Sequence, residues 1–297
     1  MSSKRSVPKA QVKDQIPAEW ICWIDENINR GVLQQTLIDT LIQNNFNREV
    51  AIQTVTIRAV SFMPNVSSAA ANAVAIEHYQ YEKIGPKADN TIQTADREIR
   101  VLMTMEKPKI VLFENVLSND ECKQLIALSK PKLDRSTIVD DFSGNQAPHK
   151  DRTSNGTYFQ RNETPFIAKL DKRIAELMRV PVENGEGIQI LNYKTGGEYK
   201  PHYDYFPPEL AGSKVHIARG GQRVATLIMY LNTVDGGGET IFPELDLKVS
   251  AVQGNAIYFA YTNSRSQVDP LTYHGGNPVV NGEKWIATKW MRQNEYR

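Results

Sequence analysis

The first part of the chain carries apolar residues at helical spacing. Between Pro17 and Ile57 they recur every three or four positions, with breaks at Arg30-Gly31 and at residues 43–47. This period is typical of helices that bury one face, and Gly and Asn are common where helices end. The pattern predicts a small bundle of three short helices over residues 1–62. Two roles are open for it: a structural or oligomerising cap, or the binding of a protein partner.

Residues 63–97 follow a different pattern. An alanine-rich run over residues 67–73 lies between Pro64 and, further on, Gly85-Pro86. Alanine favours a helix, whereas proline and glycine interrupt one. We therefore expect a partly helical connector over residues 63–97 and a larger domain over residues 98–297.

The larger domain begins with two short strands, at residues 99–102 and 110–113, followed by two helices. Ser118 and Glu121 stand three positions apart ahead of an apolar run, which is the spacing of a capping box at a helix start. Thr164 precedes Pro165, and proline is favoured at the first helical position. We expect both helices to buttress one side of a sheet.

From Glu186 onward the pattern predicts closely spaced strands and no further helix. Gly-Gly turns separate these strands, and short strands at such spacing are typical of a sandwich or barrel. The predicted strands span residues 188–193, 224–231, 247–252, 256–261 and 285–291. The fold class is therefore α+β, and we expect the functional site to lie inside the barrel.

Charge and composition exclude several classes of partner. With 35 Lys and Arg against 34 Asp and Glu, no global field attracts nucleic acid or an anionic membrane. The first ten residues lack the apolar core of a secretory signal, and no apolar stretch is long enough to span a bilayer. The two cysteines, Cys22 and Cys122, are too few for a disulfide framework. These observations predict a cytoplasmic protein with no nucleic-acid or membrane partner.

The candidate chemistry lies in three residues. His202 and Asp204 are two positions apart on an extended segment, so both side chains project to the same side. A distant strand of a folded-over barrel can bring His274 to the same place. Two imidazoles and one carboxylate occupy one face of a six-coordinate metal and leave the opposite face open, which suits non-haem Fe(II) oxygenases. We therefore interpret the chain as an enzyme.

Longer motifs surround these three residues. They are Tyr193-Lys194-Thr195-Gly196-Gly197-Glu198-Tyr199-Lys200-Pro201-His202-Tyr203-Asp204, Gly220-Gly221-Gln222-Arg223, Gly237-Gly238-Glu239-Thr240, His274-Gly275-Gly276 and Lys284-Trp285. In these motifs the chain, from about residue 99 to its end, closely resembles the prolyl 4-hydroxylase catalytic domain, a family of Fe(II)- and 2-oxoglutarate-dependent dioxygenases. The resemblance implies a double-stranded β-helix, or jelly-roll, core with buttressing helices. It also implies His202, Asp204 and His274 as the Fe(II) ligands.

The resemblance extends to the cosubstrate. Lys284 stands where the family's lysine pairs with the distal carboxylate of 2-oxoglutarate. Lys284 begins an apolar strand that continues through Trp285, Ile286 and Ala287, and a buried charge in such a strand requires a partner. Thr240 and Tyr193 match residues that line the same pocket, and Tyr230 is a further candidate donor. Ascorbate is expected as the reductant.

Other matches lie on the substrate side. Tyr199, Arg223 and Trp290 match family positions near the peptide-binding groove. The two aromatic rings could stack on a proline ring, and Arg223 could hydrogen-bond a peptide carbonyl. Arg152 resembles a residue at the edge of a mobile substrate loop, and the polar, Gly-containing residues 140–146 are predicted to belong to that lid.

The predicted function is therefore 4-hydroxylation of a prolyl residue in a peptide or protein by dioxygen, with oxidative decarboxylation of 2-oxoglutarate to succinate. One alternative keeps the iron chemistry but acts on a free amino acid or another small molecule. The other is a protein-binding module in which the N-terminal bundle recruits a partner. A complete ligand set together with Lys284 favours the enzyme, because a binding module needs none of these residues.

Overall fold

The computed structural model describes residues 13, 15–29, 32, 34–62, 79–86, 89–139, 146–148, 152–207 and 212–297. The chain divides into two compact units, Met1–Val74 and Ala75–Arg297. Each unit has its own buried apolar side chains.

Three helices make up the described part of the first unit: α1 (Ala18–Asn29), α2 (Gln34–Gln43) and α3 (Arg48–Phe62). Their inward faces meet in one apolar cluster that includes Ile24, Leu41 and Val55, each fully buried. Burial of one face is what the 3-to-4-residue spacing of apolar positions produces.

The described part of the second unit contains antiparallel strands and three α-helices. The helices are α4 (Asn119–Ser129), α5 (Pro165–Met178) and α6 (Ser213–Ile217). The strands are β1 (Thr91–Gln93), β2 (Glu98–Glu106), β3 (Lys109–Glu114), β4 (Asp134–Arg135), β5 (Thr137–Val139), β6 (Gln146–Pro148), β7 (Asn155–Phe159), β8 (Ile188–Tyr193), β9 (Tyr199–His202), β10 (Arg223–Tyr230), β11 (Gly236–Gly237), β12 (Thr240–Phe242), β13 (Leu247–Val249), β14 (Ala256–Ala260), β15 (His274–Gly276), β16 (Val279–Asn281) and β17 (Lys284–Arg292).

Two sheets form the frame of this unit. The larger sheet has nine strands in the order β1-β2-β3-β14-β10-β17-β8-β7-β4, and the smaller has four in the order β13-β12-β15-β9. Neighbouring strands are antiparallel in both. A cluster of buried residues from both sheets, including Ile228, Tyr230, Phe242 and Ile286, fills the space between them.

The central strands of the large sheet have two different faces. On β10, Leu227 and Met229 pack toward the helices, while Ile228 and Tyr230 pack toward the small sheet. On β17, Lys284, Ile286, Thr288 and Trp290 line a single pocket. Because side chains alternate across a strand, every second residue of β17 reaches the same side. This alternation places polar residues of an otherwise apolar strand in one pocket.

Both predicted helix starts are confirmed. Ser118 accepts a hydrogen bond from the Glu121 amide, and the Glu121 side chain bonds back to the Ser118 amide, which is a complete capping box. Thr164 caps α5, with Pro165 at the first helical position. The buried faces of both helices pack on the large sheet, as expected of buttressing helices.

The structure corrects two details of the sequence-based picture. A single-turn helix, α6, lies within the stretch where no further helix was expected. Several short strands, among them β12 and β15, were not predicted, because two or three residues carry no visible alternation. The unit boundary after Val74 places residues 79–86 and β1 with the larger unit; most of the predicted connector, residues 63–78 and 87–88, lies outside the described residues.

Among the described residues, no helix combines the length and the apolar character needed to cross a membrane.

Candidate metal and cosubstrate site

The three predicted metal ligands lie together between the two sheets. One ligand atom from each of His202, Asp204 and His274 lies within 4.8 Å of the others. The two histidines are direct cross-strand partners on β9 and β15. Asp204 follows β9 by two residues, and its carboxylate oxygens lie 3.6 Å from His202 Nε2 and 3.5 Å from His274 Nε2.

Backbone carbonyls fix the orientation of both imidazole rings. Nδ1 of His202 lies 2.9 Å from the Lys200 carbonyl, and Nδ1 of His274 lies 2.9 Å from the Thr272 carbonyl. A carbonyl only accepts, so each Nδ1 carries the proton and each Nε2 presents its lone pair. Burial lowers the pKa of His274 to about 4. Its ring is therefore neutral near pH 7, as a metal ligand must be.

Asp204 is held ionised by its neighbours. Burial acts to raise the pKa of its carboxyl, but His274, His202 and Arg223 together bring that pKa below the ordinary range. Thr226 on β10 donates a 2.6 Å hydrogen bond to Asp204 Oδ2, and the Tyr261 hydroxyl lies 3.0 Å from the Thr226 hydroxyl. The sequence reading missed both residues, because a Thr and a Tyr in apolar strands look like ordinary strand formers.

Lys284 is a buried cation in the same pocket. The residue is 4% exposed, and among the described residues no carboxylate forms a salt bridge with its ammonium group. Burial lowers its pKa to about 8, against a smaller opposing effect of Glu239. The Nζ atom lies 5.9 Å from the ring centres of both Tyr193 and Tyr230. An anion entering this pocket would supply the missing counter-charge.

Of the three predicted hydroxyl groups, those of Thr240 and Tyr193 line the pocket with Lys284, whereas Tyr230 is not one of its lining residues. Tyr230 donates a 2.9 Å hydrogen bond to the Thr240 hydroxyl, and both side chains are buried. Tyr193 is the cross-strand partner of Lys284. Burial raises the pKa of the Tyr193 hydroxyl, while nearby Arg152 and Ser154 act to lower it. These hydroxyls are protonated near neutral pH and can act as donors.

The predicted substrate residues Tyr199 and Trp290 also line this pocket. The Tyr199 ring stacks on His202 with 3.7 Å between ring centres. Trp290 is 7% exposed, and its Nε1 has no hydrogen-bond partner among the described residues. A buried donor without an acceptor is costly, so a ligand that offers a carbonyl would be favoured there.

Arg223 is already held by protein groups. It forms a two-point ion pair with Glu186, through Nε at 2.6 Å and Nη2 at 3.0 Å, and donates from Nη1 to the Asp204 carbonyl at 3.2 Å. Its guanidinium carbon lies 3.9 Å from the centre of the Trp290 ring, a cation–π distance. Arg223 therefore links Trp290 to the backbone of Asp204, a predicted metal ligand.

A second polar chain approaches the pocket from β7 and β8. Arg152 donates to Gln189 at 2.9 Å, and Gln189 in turn donates to the Tyr158 hydroxyl. The Arg152 guanidinium lies 4.8 Å from the centre of the Tyr199 ring. The lid predicted next to Arg152, residues 140–146, lies outside the described residues except for residue 146.

These residues fit the groups that the sequence pattern implies. Two imidazoles and an ionised carboxylate form a facial set for Fe(II), and each is oriented by a hydrogen bond with the surrounding protein. A buried lysine with neighbouring hydroxyls suits the distal carboxylate of a dicarboxylic acid. The three predicted metal ligands and the Lys284 ammonium group line one pocket. A cosubstrate that chelates the metal at one end and carries a carboxylate at the other requires this arrangement.

Comparison with known proteins shows which family the chain resembles. A family model described as the 2OG-Fe(II) oxygenase superfamily matches residues 188–292, from the start of β8 to the end of β17. Prolyl 4-hydroxylase 5 of Arabidopsis thaliana is 39% identical over 210 residues, which cover 64% of this chain and 70% of that protein. Prolyl 4-hydroxylase 1 of the same plant is 41% identical over 201 residues, covering 63% and 69%.

Among solved structures, the viral collagen prolyl hydroxylase from Paramecium Bursaria Chlorella virus-1, in complex with 2OG, is 30% identical with a TM-score of 0.49. That alignment covers 62% of this chain and 95% of the viral one. The identity and coverage of the plant relatives place the chain plainly: it belongs to the prolyl 4-hydroxylase family of 2OG-Fe(II) oxygenases. The predicted family is thereby confirmed.

Proposed function

We propose that this protein is an Fe(II)- and 2-oxoglutarate-dependent dioxygenase that hydroxylates a prolyl residue of a peptide or protein. One observation carries the proposal: the cluster of His202, Asp204 and His274 shares a pocket with the buried ammonium of Lys284. The kinship with plant prolyl 4-hydroxylases supports proline as the substrate residue. It does not favour the two alternatives, a hydroxylase of free amino acids and a protein-binding module.

Different residues of the pocket are proposed to bind the metal and the cosubstrate. His202, Asp204 and His274 would hold the iron, and Lys284 would bind the distal carboxylate of 2-oxoglutarate. When bound, iron and 2-oxoglutarate would supply, together with dioxygen, the chemistry that inserts one atom of dioxygen into a C–H bond and the other into succinate, with release of carbon dioxide.

Hydroxyl groups around Lys284 complete the proposed cosubstrate pocket. Thr240, oriented by the hydroxyl of Tyr230, and Tyr193 face the same space and can donate to carboxylate oxygens. Hydrogen bonds to an ionised acceptor are stronger than those between neutral groups. They would therefore orient 2-oxoglutarate as well as bind it.

Tyr199 and Trp290 form the proposed contact with the substrate proline. Both rings line the pocket, and Tyr199 lies directly on a metal-ligating imidazole. A proline ring between them would place its C–H bonds close to the metal, and such positioning is a large part of enzymatic rate enhancement. Arg223, which the sequence suggested as a donor to the peptide, would also hold Trp290 in place through its cation–π contact.

Other parts of the prediction stay predictions. They are the 4-position of the hydroxyl group, ascorbate as reductant, the cytoplasmic location and a partner for the N-terminal helices. The double-stranded β-helix is supported by the two facing antiparallel sheets with the site between them.

The function is tested with purified protein, Fe(II), ascorbate and 2-oxoglutarate, offered proline-rich peptides or free proline. Mass spectrometry should detect succinate and peptides that have gained one oxygen, and chromatography of the hydrolysed peptide should identify 4-hydroxyproline. His202→Ala should abolish this turnover while circular dichroism stays unchanged. Absence of succinate under all conditions would refute the enzyme, and hydroxylation of free proline alone would favour the small-molecule alternative.

A further inference from the structure

The turn that precedes β15 determines where the His274 ring lies. A single turn of 3-10 helix, Pro270–Thr272, leads into the strand. The last residue of that turn, Thr272, offers the carbonyl that accepts the Nδ1 hydrogen bond of His274 at 2.9 Å. The direction of this carbonyl therefore fixes both the rotation of the imidazole and its protonation pattern.

Asp269 holds this turn at its start. Its Oδ1 accepts a 3.0 Å hydrogen bond from the Leu271 amide, which is the bond of a helix cap. Its own carbonyl accepts a 2.7 Å hydrogen bond from the Thr272 hydroxyl, and its amide donates to the Tyr261 carbonyl at 2.8 Å. Asp269 thus bonds to both ends of the turn and ties it to the segment that follows β14.

The position of Asp269 is an expensive one for a carboxyl group. The residue is fully buried, and its Oδ2 has no hydrogen-bond partner among the described residues. Burial raises the pKa of this carboxyl to about 6, while the bond to Leu271 and the nearby Tyr81 hydroxyl act to lower it. The Tyr81 hydroxyl is itself buried, and the two groups do not meet in hydrogen-bond geometry. Local rules are typically broken in this way where a site demands it.

We infer that Asp269 is a positioning residue for the metal site: by capping the 270–272 turn it sets the Thr272 carbonyl, and through it the Nε2 lone pair of His274. The inference rests on the proposed function, since it assigns Asp269 a task toward the metal that His274 would bind. Outer residues that orient metal-ligating histidines change metal affinity by roughly 10- to 100-fold when they are replaced. The expected effect of losing the cap lies in that range.

The test is a titration of the metal-free protein with Co(II), followed by its visible absorption, because binding is then measured apart from turnover. Asp269→Ala removes the cap and should weaken Co(II) binding at least ~10-fold. Asp269→Asn keeps an oxygen acceptor for the Leu271 amide, and Asn is as good a cap as Asp. It should restore affinity to within a few-fold of the parent protein.

Ser118→Ala is the matched control. Ser118 also caps a helix of this unit, but α4 contributes no residue to the metal pocket. This variant should lower the melting temperature, as Asp269→Ala does, and leave Co(II) affinity unchanged. The apparent KM for 2-oxoglutarate in the iron-loaded enzyme should stay within about twofold for Asp269→Asn, because Lys284 is untouched.

Each outcome has a definite meaning. Unchanged Co(II) affinity in a folded Asp269→Ala protein overturns the inference, and so does equal weakening in Asp269→Ala and Ser118→Ala, since that would reflect stability alone. Equal weakening in Asp269→Ala and Asp269→Asn would also overturn it, because the carboxyl and not the cap would then matter. Failure of the parent protein to bind Co(II) would instead refute the metal site and with it the proposed function.

Discussion

Buried charges set the chemistry of the site at the scale of single residues. Asp204 is stabilised as an anion by the Arg223 guanidinium and the Thr226 hydroxyl, whereas Lys284 is a cation without a carboxylate partner among the described residues. A lone buried charge is costly unless a ligand balances it. This contrast distinguishes the Asp204 carboxylate, which would bind the metal, from the Lys284 ammonium, which would bind an anionic ligand.

The depressed pKa of Lys284 predicts how cosubstrate binding depends on pH. The free enzyme loses the Lys284 proton near pH 8. Above that pH the apparent KM for 2-oxoglutarate should rise by up to ~tenfold per pH unit, because binding then requires uptake of a proton. Steady-state kinetics between pH 7 and 9.5 measure this slope.

Lys284→Arg is the control for this prediction, because its guanidinium stays charged throughout that range. Its KM should be higher at pH 7 but independent of pH above pH 8, and an equal slope in both proteins would contradict the assignment.

The stability of the ligand-free protein also depends on the lowered pKa of Lys284. Between about pH 8 and 10.5 the unfolded chain holds the Lys284 proton more tightly, so the free energy of unfolding rises with pH in that window.

Sequence reasoning found residues whose relation is local or carried by a long motif. His202 and Asp204 are two positions apart, and Lys284 stands out as a charge in an apolar strand. Thr226, Tyr261 and Asp269 could not be found in this way. Their roles arise from contacts that the folded structure makes. In the sequence, each is a residue type that is common in strands or turns.

At the scale of elements, β17 serves two environments. One face of the strand lines the pocket, and the other packs against the helices, where Lys289 meets Asp171 of α5 at 2.6 Å. Both side chains are buried, and Asp171 also accepts from the Asn162 amide at 2.8 Å. This ion pair fixes the position of α5 on the strand that carries Lys284.

Breaking this pair should destabilise the protein strongly. Asp171→Ala leaves the Lys289 ammonium buried without a partner, and such losses cost about 3–5 kcal/mol of the free energy of unfolding. Urea denaturation measures the change. The double variant Asp171→Asn with Lys289→Met keeps an acceptor for Asn162 and buries no charge, so it should recover most of the loss. A double variant as unstable as the single one would contradict this account.

Elements with strong local signals were predictable, and elements made by pairing were not. The Ser118 and Thr164 caps and the long strands β10 and β17 match their predictions closely. The three-residue strands β12 and β15 exist because each pairs with neighbours on the small sheet. Such strands gain their stability from partners remote in sequence, which no local pattern records.

At the scale of the whole molecule, the division between the two compact units falls after Val74, within the connector predicted over residues 63–97. Residues 79–82 contact the large unit: Asn263 donates to the Gln80 carbonyl at 3.0 Å, and the Ser264 hydroxyl donates to Glu82 at 2.6 Å. Tyr79 is buried. The described residues 79–82 therefore pack against the larger unit.

Two truncations test this boundary. A chain that starts at residue 75 should fold and bind Co(II) as the full chain does, because both apolar clusters of the larger unit stay complete. A chain that starts at residue 98 loses Tyr79, β1 and the Asp96–Arg173 ion pair, so its melting temperature should fall by roughly 10 °C. Equal melting temperatures would place the boundary at residue 98 instead.

The pairing of His202 with His274 across β9 and β15 has a consequence for motion as well as chemistry. A metal ion held by both rings would cross-link two short strands that have only a short stretch of paired residues. Amide hydrogens of these strands should then exchange with solvent more slowly when metal is bound. The reason is that metal binding raises the free energy of the local opening that lets each amide exchange. The small sheet would be loose in the empty enzyme and tight in the loaded one, so the pocket becomes rigid only when the metal is in place.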